Sequence, residues 1–198
     1  MLASLQVNAQ APPVVDEASI ADKPRTQVTS NRDVDTDPPR PEEQARKTYL
    51  GRVVAKPMSH LGASWLIRPE RDEEERASES FKQLKLTAGM TVCDMGCGNG
   101  YWTLPMAKEV GATGRVLAVD IQREMLQMLR QRSAREKLQN IEPLLGKVND
   151  PNLPAGEVDL LLMVDVYHEF SHPESMLWAI RRSLTSVSYT HLTLPTNA

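Results

Sequence analysis

The 198 residues carry 23 Lys+Arg against 26 Asp+Glu, a net charge of −3, with 40% hydrophobic and 25% charged residues, the arithmetic of one soluble core plus a tail. That balance lacks the clustered basic charge that phosphate binding requires, so no nucleic-acid partner is indicated. Apolar runs fall short of the roughly 20 residues a membrane span needs, and two cysteines, Cys93 and Cys97, build no disulfide framework.

Residues 1–45 hold six of the fourteen prolines among polar residues without helical or strand period, which predicts a disordered tail. Its start, MLASLQVNAQAPP, is similar to the back half of an export signal with its cleavage site at Val7-Asn8-Ala9. The true start is then expected upstream of Met1. Two localisations stay open, the cytosol and export.

From Asp72 to Leu84 an acidic start is followed by Ala77, Phe81 and Leu84 at helical spacing, predicting an amphipathic helix with a solvated, dipole-favoured beginning. Met90–Met95 is a short buried strand ending at a glycine cluster, and Tyr101–Val110 a helix. Arg115–Val119 is a second strand ending in Asp120, Arg123–Lys137 a helix, Ile141–Leu145 a third strand and Val158–Val164 a fourth. Pro173–Leu184 is a helix with proline in its first turn, where the missing N–H costs nothing. Near-continuous apolar strands separated by helices predict a doubly wound, Rossmann-like α/β fold whose parallel sheet is covered on both faces.

Beyond the last helix, Val187–Thr196 resembles the translation of a transposase-based sequencing adapter, so residues 187–198 are expected to be non-native; the alternative is a β-prone segment of alternating Thr and Leu. The organisation expected is a tail over 1–45, a partial domain over 46–186 with the first four strands only, and the adapter-like tail.

The informative segment is Val92-Cys93-Asp94-Met95-Gly96-Cys97-Gly98-Asn99-Gly100. Three glycines at alternate positions after a strand let the backbone turn sharply and approach a ligand, while the next helix offers free N–H groups. The second strand ends in Asp120, whose carboxylate can accept both hydroxyls of a ribose. Asp94, two positions before the first glycine, would repel a pyrophosphate and suits a cationic amine or sulfonium instead. Cys93 reads as core, and Cys97 as a small residue chosen for backbone approach.

DMGCGNG, then VLAVD, GKVNDPNLP and VDLLLMVDVYHEFSHP resemble the successive motifs of class I S-adenosylmethionine-dependent methyltransferases, over roughly Leu84–Leu184. The segment from Tyr49–Val54 through Gly62–Leu66 is similar to the lead-in of a group of bacterial methyltransferase-domain proteins of unassigned substrate. The resemblance implies S-adenosylmethionine as cofactor. Gly96, Cys97, Gly98, Asn99 and Gly100 would cradle its methionine part, organised by Asp94. Asp120 would hold the ribose hydroxyls and Ile121 pack on the adenine. Asn149 or Asp150 would meet the adenine amino group, and Asp165 and Val166 line the methyl-transfer side. Trp65 reads either as part of a lid over the cofactor or as a buried packing residue.

Methyl transfer is an in-line displacement that needs a positioned nucleophile and, where required, a base. The run after strand four supplies His168 as candidate base, with Tyr167 and Glu169 orienting substrate or base. The competing reading makes them hydrogen-bonding and capping groups. His172, beside Pro173, reads as a helix-start residue, and His60 shows no partner in sequence. No His or Cys pair has metal spacing, so no metal is expected. The reading is a methyltransferase acting on an unidentified, small-molecule acceptor. The alternatives are a nicotinamide-dependent oxidoreductase and a non-catalytic cofactor-binding fragment. A sheet ending at strand four leaves an unpaired apolar edge, which predicts weak cofactor binding and an inactive chain.

Overall fold

In the computed structural model, which describes residues 47–193 and side chains through Ser186, the chain begins with a hairpin of β1 (Thr48–Tyr49) and β2 (Arg52–Val53). Leu50 and Gly51 at its tip both have positive φ, 47° and 79°, the two-residue turn whose twist matches that of paired strands. The expected tail over 1–45 and its signal-like start lie outside the described residues. A 3₁₀ helix (His60–Ile67) and two brief helices, α1 (Arg71–Glu75) and α2 (Ala77–Gln83), follow.

The single helix expected over 72–84 is thus broken at Arg76, which sits in the left-handed region at φ 49°. The cause lies in the acidic run. Asp72 accepts the Ser78 N–H at 2.6 Å and the Ser78 hydroxyl at 2.8 Å, and these bonds hold its carboxyl below the usual range. Asp72 caps the start of α2 across the break.

The remainder alternates β3 (Thr91–Met95), α3 (Thr103–Val110), β4 (Arg115–Asp120), α4 (Arg123–Arg135), β5 (Ile141–Leu145), β6 (Val158–Val164), α5 (Pro173–Ser183) and β7 (Leu184–Thr193). The sheet is parallel throughout, in the order β5-β4-β3-β6-β7. Side chains alternate between its faces as a strand's two-residue period requires. Val92, Val116, Leu160 and Leu162 pack with Met106 and Val110 of α3, and Ala118 with Leu126 and Leu129 of α4. Cys93, Leu117, Leu161 and Met163 point the other way, onto Met176 and Ile180 of α5. The doubly wound fold is as expected.

Two features go beyond the four-strand expectation. β7 pairs in parallel with β6 and covers the edge expected to be open. Its backbone runs through the segment expected to be a non-native tail, as far as Thr193. The other feature is direction of travel: the chain winds β3, β4, β5 outward on one side, then returns to β6 and β7 on the other. The loops after β3 and β6 therefore part at the carboxyl edge, where open α/β sheets bind ligands.

Candidate functional site

The loop after β3 turns on Gly96, Gly98 and Gly100, at φ 74°, 53° and 90°. The Gly96 and Cys97 N–H groups both donate to Val119 O at 2.9 Å, tying the loop to β4. A Cβ at Gly96 would lie 2.5 Å from Val166 Cγ2, and one at Gly100 would lie 2.4 Å from Leu129 Cδ1. Glycine at 96 lets the loop after β6 close on the loop after β3. Glycine at 100 lets α4 approach.

Two carboxyls stand in this loop's shelter. Asp94, at the sheet's centre, accepts from the Thr103 hydroxyl at 2.5 Å. Burial, opposed by that bond and reinforced by the Asp120 charge, pushes it up to about 6. Asp120, at the end of β4, accepts from Gly98 N–H at 2.9 Å on one oxygen and from Gln122 N–H at 2.8 Å on the other. Burial raises it as well, against the pull of those bonds. Both oxygens are thereby aimed while keeping lone pairs for further donors.

The turn after β6 brings a third acid. Glu169 is half-buried, and burial, the charges of Asp120 and Asp165, and an opposing bond from Met58 N–H leave it at about 7. Asp165 is exposed, in the left-handed region at φ 53°. Tyr167 packs edge-on to Phe170 at 5.7 Å. The His168 side chain is exposed, and its carbonyl accepts from Arg52 Nη1 at 2.7 Å and Ala55 N–H at 3.1 Å.

Those last bonds belong to a strap, the segment expected as a lead-in with Trp65 as its candidate lid residue. Residues 47–68 cross the carboxyl edge and are tethered to the loop after each of β3, β4 and β6. Asn99 Nδ2 donates to Ala63 O at 2.7 Å. Gln122 receives His60 N–H at 3.0 Å and donates to Met58 O at 2.8 Å. Leu66 Cδ1 sits where a Cβ on Gly98 would fall, 2.8 Å away. Trp65 is 53% exposed, with the Arg68 guanidinium 3.7 Å from its ring centre, so it is not the buried packing residue that was one alternative.

Arg71 is a residue the sequence reading missed. It is the buried cation of the described residues, 5% exposed, paired with Glu75 at 2.9 Å and donating to Leu66 O at 2.7 Å. Its charge reaches Asp94 and pulls that carboxyl downward. Its place after a proline and an acid gives no local signal of burial.

The remaining predicted positions scatter. Ile121 is 40% exposed beside Asp120. Asn99 keeps a buried Oδ1 without a partner in the structure. Cys93 and Cys97 are buried, free thiols that burial pushes well above the usual thiol value, which leaves them unreactive. Asp150 receives Asn152 N–H at 2.8 Å and lines a cleft with Trp178 and Arg182, and Asn149 precedes it in the same loop. His172 starts α5, its Nδ1 2.9 Å from Ser171 Oγ, as expected. Among the described residues no three His, Cys, Asp or Glu side chains gather as metal ligands would, and no helix is long and apolar enough to cross a membrane.

Residues 92–186 match a family described as a methyltransferase domain. The demethylmenaquinone methyltransferase of Oceanobacillus iheyensis is 32% identical over 79 residues, covering 40% of this chain and 32% of that protein. A 37.1 kDa protein of transposon TN4556 from Streptomyces fradiae is 32% identical over 113 residues, covering 54% and 32%. The chain thus spans about a third of the length of these curated relatives. A solved structure, a SAM-dependent methyltransferase from Aquifex aeolicus, matches with a TM-score of 0.63 and 31% identity over 67% of this chain and 71% of that one. An acid-bearing glycine loop, an oriented carboxylate at the next strand end and this agreement in sequence and fold have one common explanation: the chain belongs to the class I S-adenosylmethionine-dependent methyltransferases.

Proposed function

We propose that the protein transfers a methyl group from S-adenosylmethionine to a small, largely apolar acceptor carrying an ionisable nucleophile. The observation that carries this reading is the charge of the carboxyl edge. Burial first, and then the Asp120 charge, raises both Asp94 and Glu169, an arrangement that favours a sulfonium cation and sugar hydroxyls and disfavours the pyrophosphate of a dinucleotide. The residues fit the cofactor on this structure's own terms: two aimed oxygens on Asp120, an unpartnered Asn99 Oδ1, and a glycine loop held close by Val166.

When bound, S-adenosylmethionine supplies an electrophilic methyl group on sulfur, whose C–S bond breaks as the acceptor's bond to carbon forms. Asp120 would hold the ribose hydroxyls, and Gly96 to Gly100 with Asp94 the amino-acid end, where Arg71 offers the balancing positive charge. Ile121 would rest on the adenine, with Asn149 or Asp150 at its amino group. Asp165 and Val166 would line the transfer side.

Glu169 is the better matched proton acceptor. At about 7 it is matched to neutral pH, where a base is both deprotonated and basic enough to act. The exposed His168 instead anchors the strap through its carbonyl, so we assign Glu169 the acceptor's proton, with Tyr167 beside it as an orienting ring. The acceptor class draws on the Tyr167–Phe170 pair and on the demethylmenaquinone named for the Oceanobacillus relative.

Parallel calorimetric titrations with S-adenosylmethionine, S-adenosylhomocysteine and NAD⁺ test the reading. Binding of the first two, weakened at least about tenfold by Asp120→Ala through the loss of a charge-assisted hydrogen-bond pair, is the expected result. NAD⁺ binding in their place would return the oxidoreductase alternative. A panel of hydroxylated naphthalenes and quinols then tests the acceptor, with Glu169→Gln expected to abolish the activity rise near pH 7.

A further inference from the structure

The strap has an outer side that methyl transfer does not use. From Lys47 to Arg68 there is no Asp or Glu, in a chain whose net charge is −3. Of its four cations, Lys47, Arg52, Lys56 and Arg68, only the last is in an ion pair among the described residues. The same stretch holds six of the nine exposed large hydrophobic side chains of the described residues, led by Leu50 at 88%, Leu61 at 85%, Val53 at 75% and Trp65 at 53%.

Exposed apolar groups gathered in one stretch mark an interaction surface. Here they stand on protruding features. Leu50 is the tip of the β1–β2 hairpin, and Leu61 and Trp65 lie on the 3₁₀ helix. Apolar tips with unpaired cations between them match the chemistry of a lipid interface. There Leu and Trp enter the boundary between headgroups and acyl chains while Lys and Arg meet anionic phosphates. The hairpin is tethered to the turn after β6 and the 3₁₀ helix to the loops after β3 and β4, so both ride on the sheet's carboxyl edge.

We propose that residues 47–68 dock the protein on an anionic bilayer surface, through Leu50, Val53, Leu61 and Trp65 with the exposed Lys47 and Lys56, Arg52 being turned inward onto the turn after β6. Docking there sets the carboxyl edge against the phase in which an apolar acceptor dissolves. That consequence rests on the methyl-transfer reading; the docking itself does not, so vesicle binding and turnover fail separately.

The test is co-sedimentation of the full chain with vesicles of phosphatidylcholine alone, or with one third phosphatidylglycerol. Binding to the anionic vesicles, weakened by salt and accompanied by a blue shift of tryptophan emission in a Trp178→Phe background, where Trp65 is exposed and the other remaining tryptophan, Trp102, is already buried, is the expected result. L50S/L61S and K47E/K56E should each reduce partition about tenfold or more, with melting temperatures unchanged because all four side chains are exposed. Absence of vesicle binding overturns the proposal, and so does partition indifferent to both variants or equal on neutral vesicles. Self-association lost in L50S/L61S without any lipid binding would assign the face to a second copy of the chain instead.

Discussion

The sheet interior and the strap are built on opposite principles. Between β3, β4 and β6 the chain buries Val92, Leu117 and Leu161 to zero exposure, and nearly every side chain there is apolar, β-branched or small. The strap contributes one residue, Ala63, to the buried set and is held by polar tethers at three loop ends. Burial is non-directional and cooperative, whereas a tether is local and can be released alone. The molecule thus has a rigid floor and a separately releasable cover over the carboxyl edge of its sheet.

Leu161→Ala attacks the floor. It should cost about 3 kcal/mol, transfer energy plus cavity, and appear as a lower global melting point. A loss below about 1 kcal/mol would mean the interior collapses around the change.

Gly96→Ala strikes the junction of floor and cover. A methyl at φ 74° must also displace Val166 Cγ2, 2.5 Å away. We expect roughly 1–2 kcal/mol of backbone strain and at least a tenfold loss of cofactor affinity. Unaltered affinity would remove the loop from the binding site.

The pH dependence separates the two regions without mutation. Asp94 at about 6 and Glu169 at about 7 lie above the ordinary carboxyl values near 4, so between those limits the folded state holds more protons than the unfolded one. Their contribution to stability is complete below the ordinary values and is lost as pH rises through 6 and 7. The melting point of the ligand-free protein should fall from pH 5 to pH 8, and Glu169→Gln should flatten the upper part. A sulfonium ligand reverses the slope, because ionised carboxyls bind it better.

Gln122→Ala should have the smallest global effect. It removes two hydrogen bonds to the strap, about 1 kcal/mol each, and should accelerate amide exchange in residues 58–66 while leaving β3 and β4 protected. Exchange accelerating equally in both would show that strap and sheet open together.

The floor was legible in the sequence because its signals are local. VCDM and VLAVD are apolar runs of strand length, the glycines sit at their ends, and Asp120 follows by position. The strap was not, since its contacts join residues 116 apart, Arg52 to His168, and 36 apart, Asn99 to Ala63, with no period to betray them. The broken helix at Arg76 hid for another reason: Asp72 reads as one charge in a solvated run until its side chain is seen to capture Ser78. Glu169 was grouped with His168 by adjacency. Only the half-burial of one and the exposure of the other separates the roles proposed for them.

Asp165 leaves one consequence for anyone who would improve this protein. A non-glycine residue at φ 53° holds about 1 kcal/mol of unfavourable backbone energy that Gly would remove and Asn would ease. A laboratory selection for heat tolerance alone would therefore be drawn to this position early. The variants it returned should be hardier and, having lost the carboxylate proposed to line the transfer side, slower.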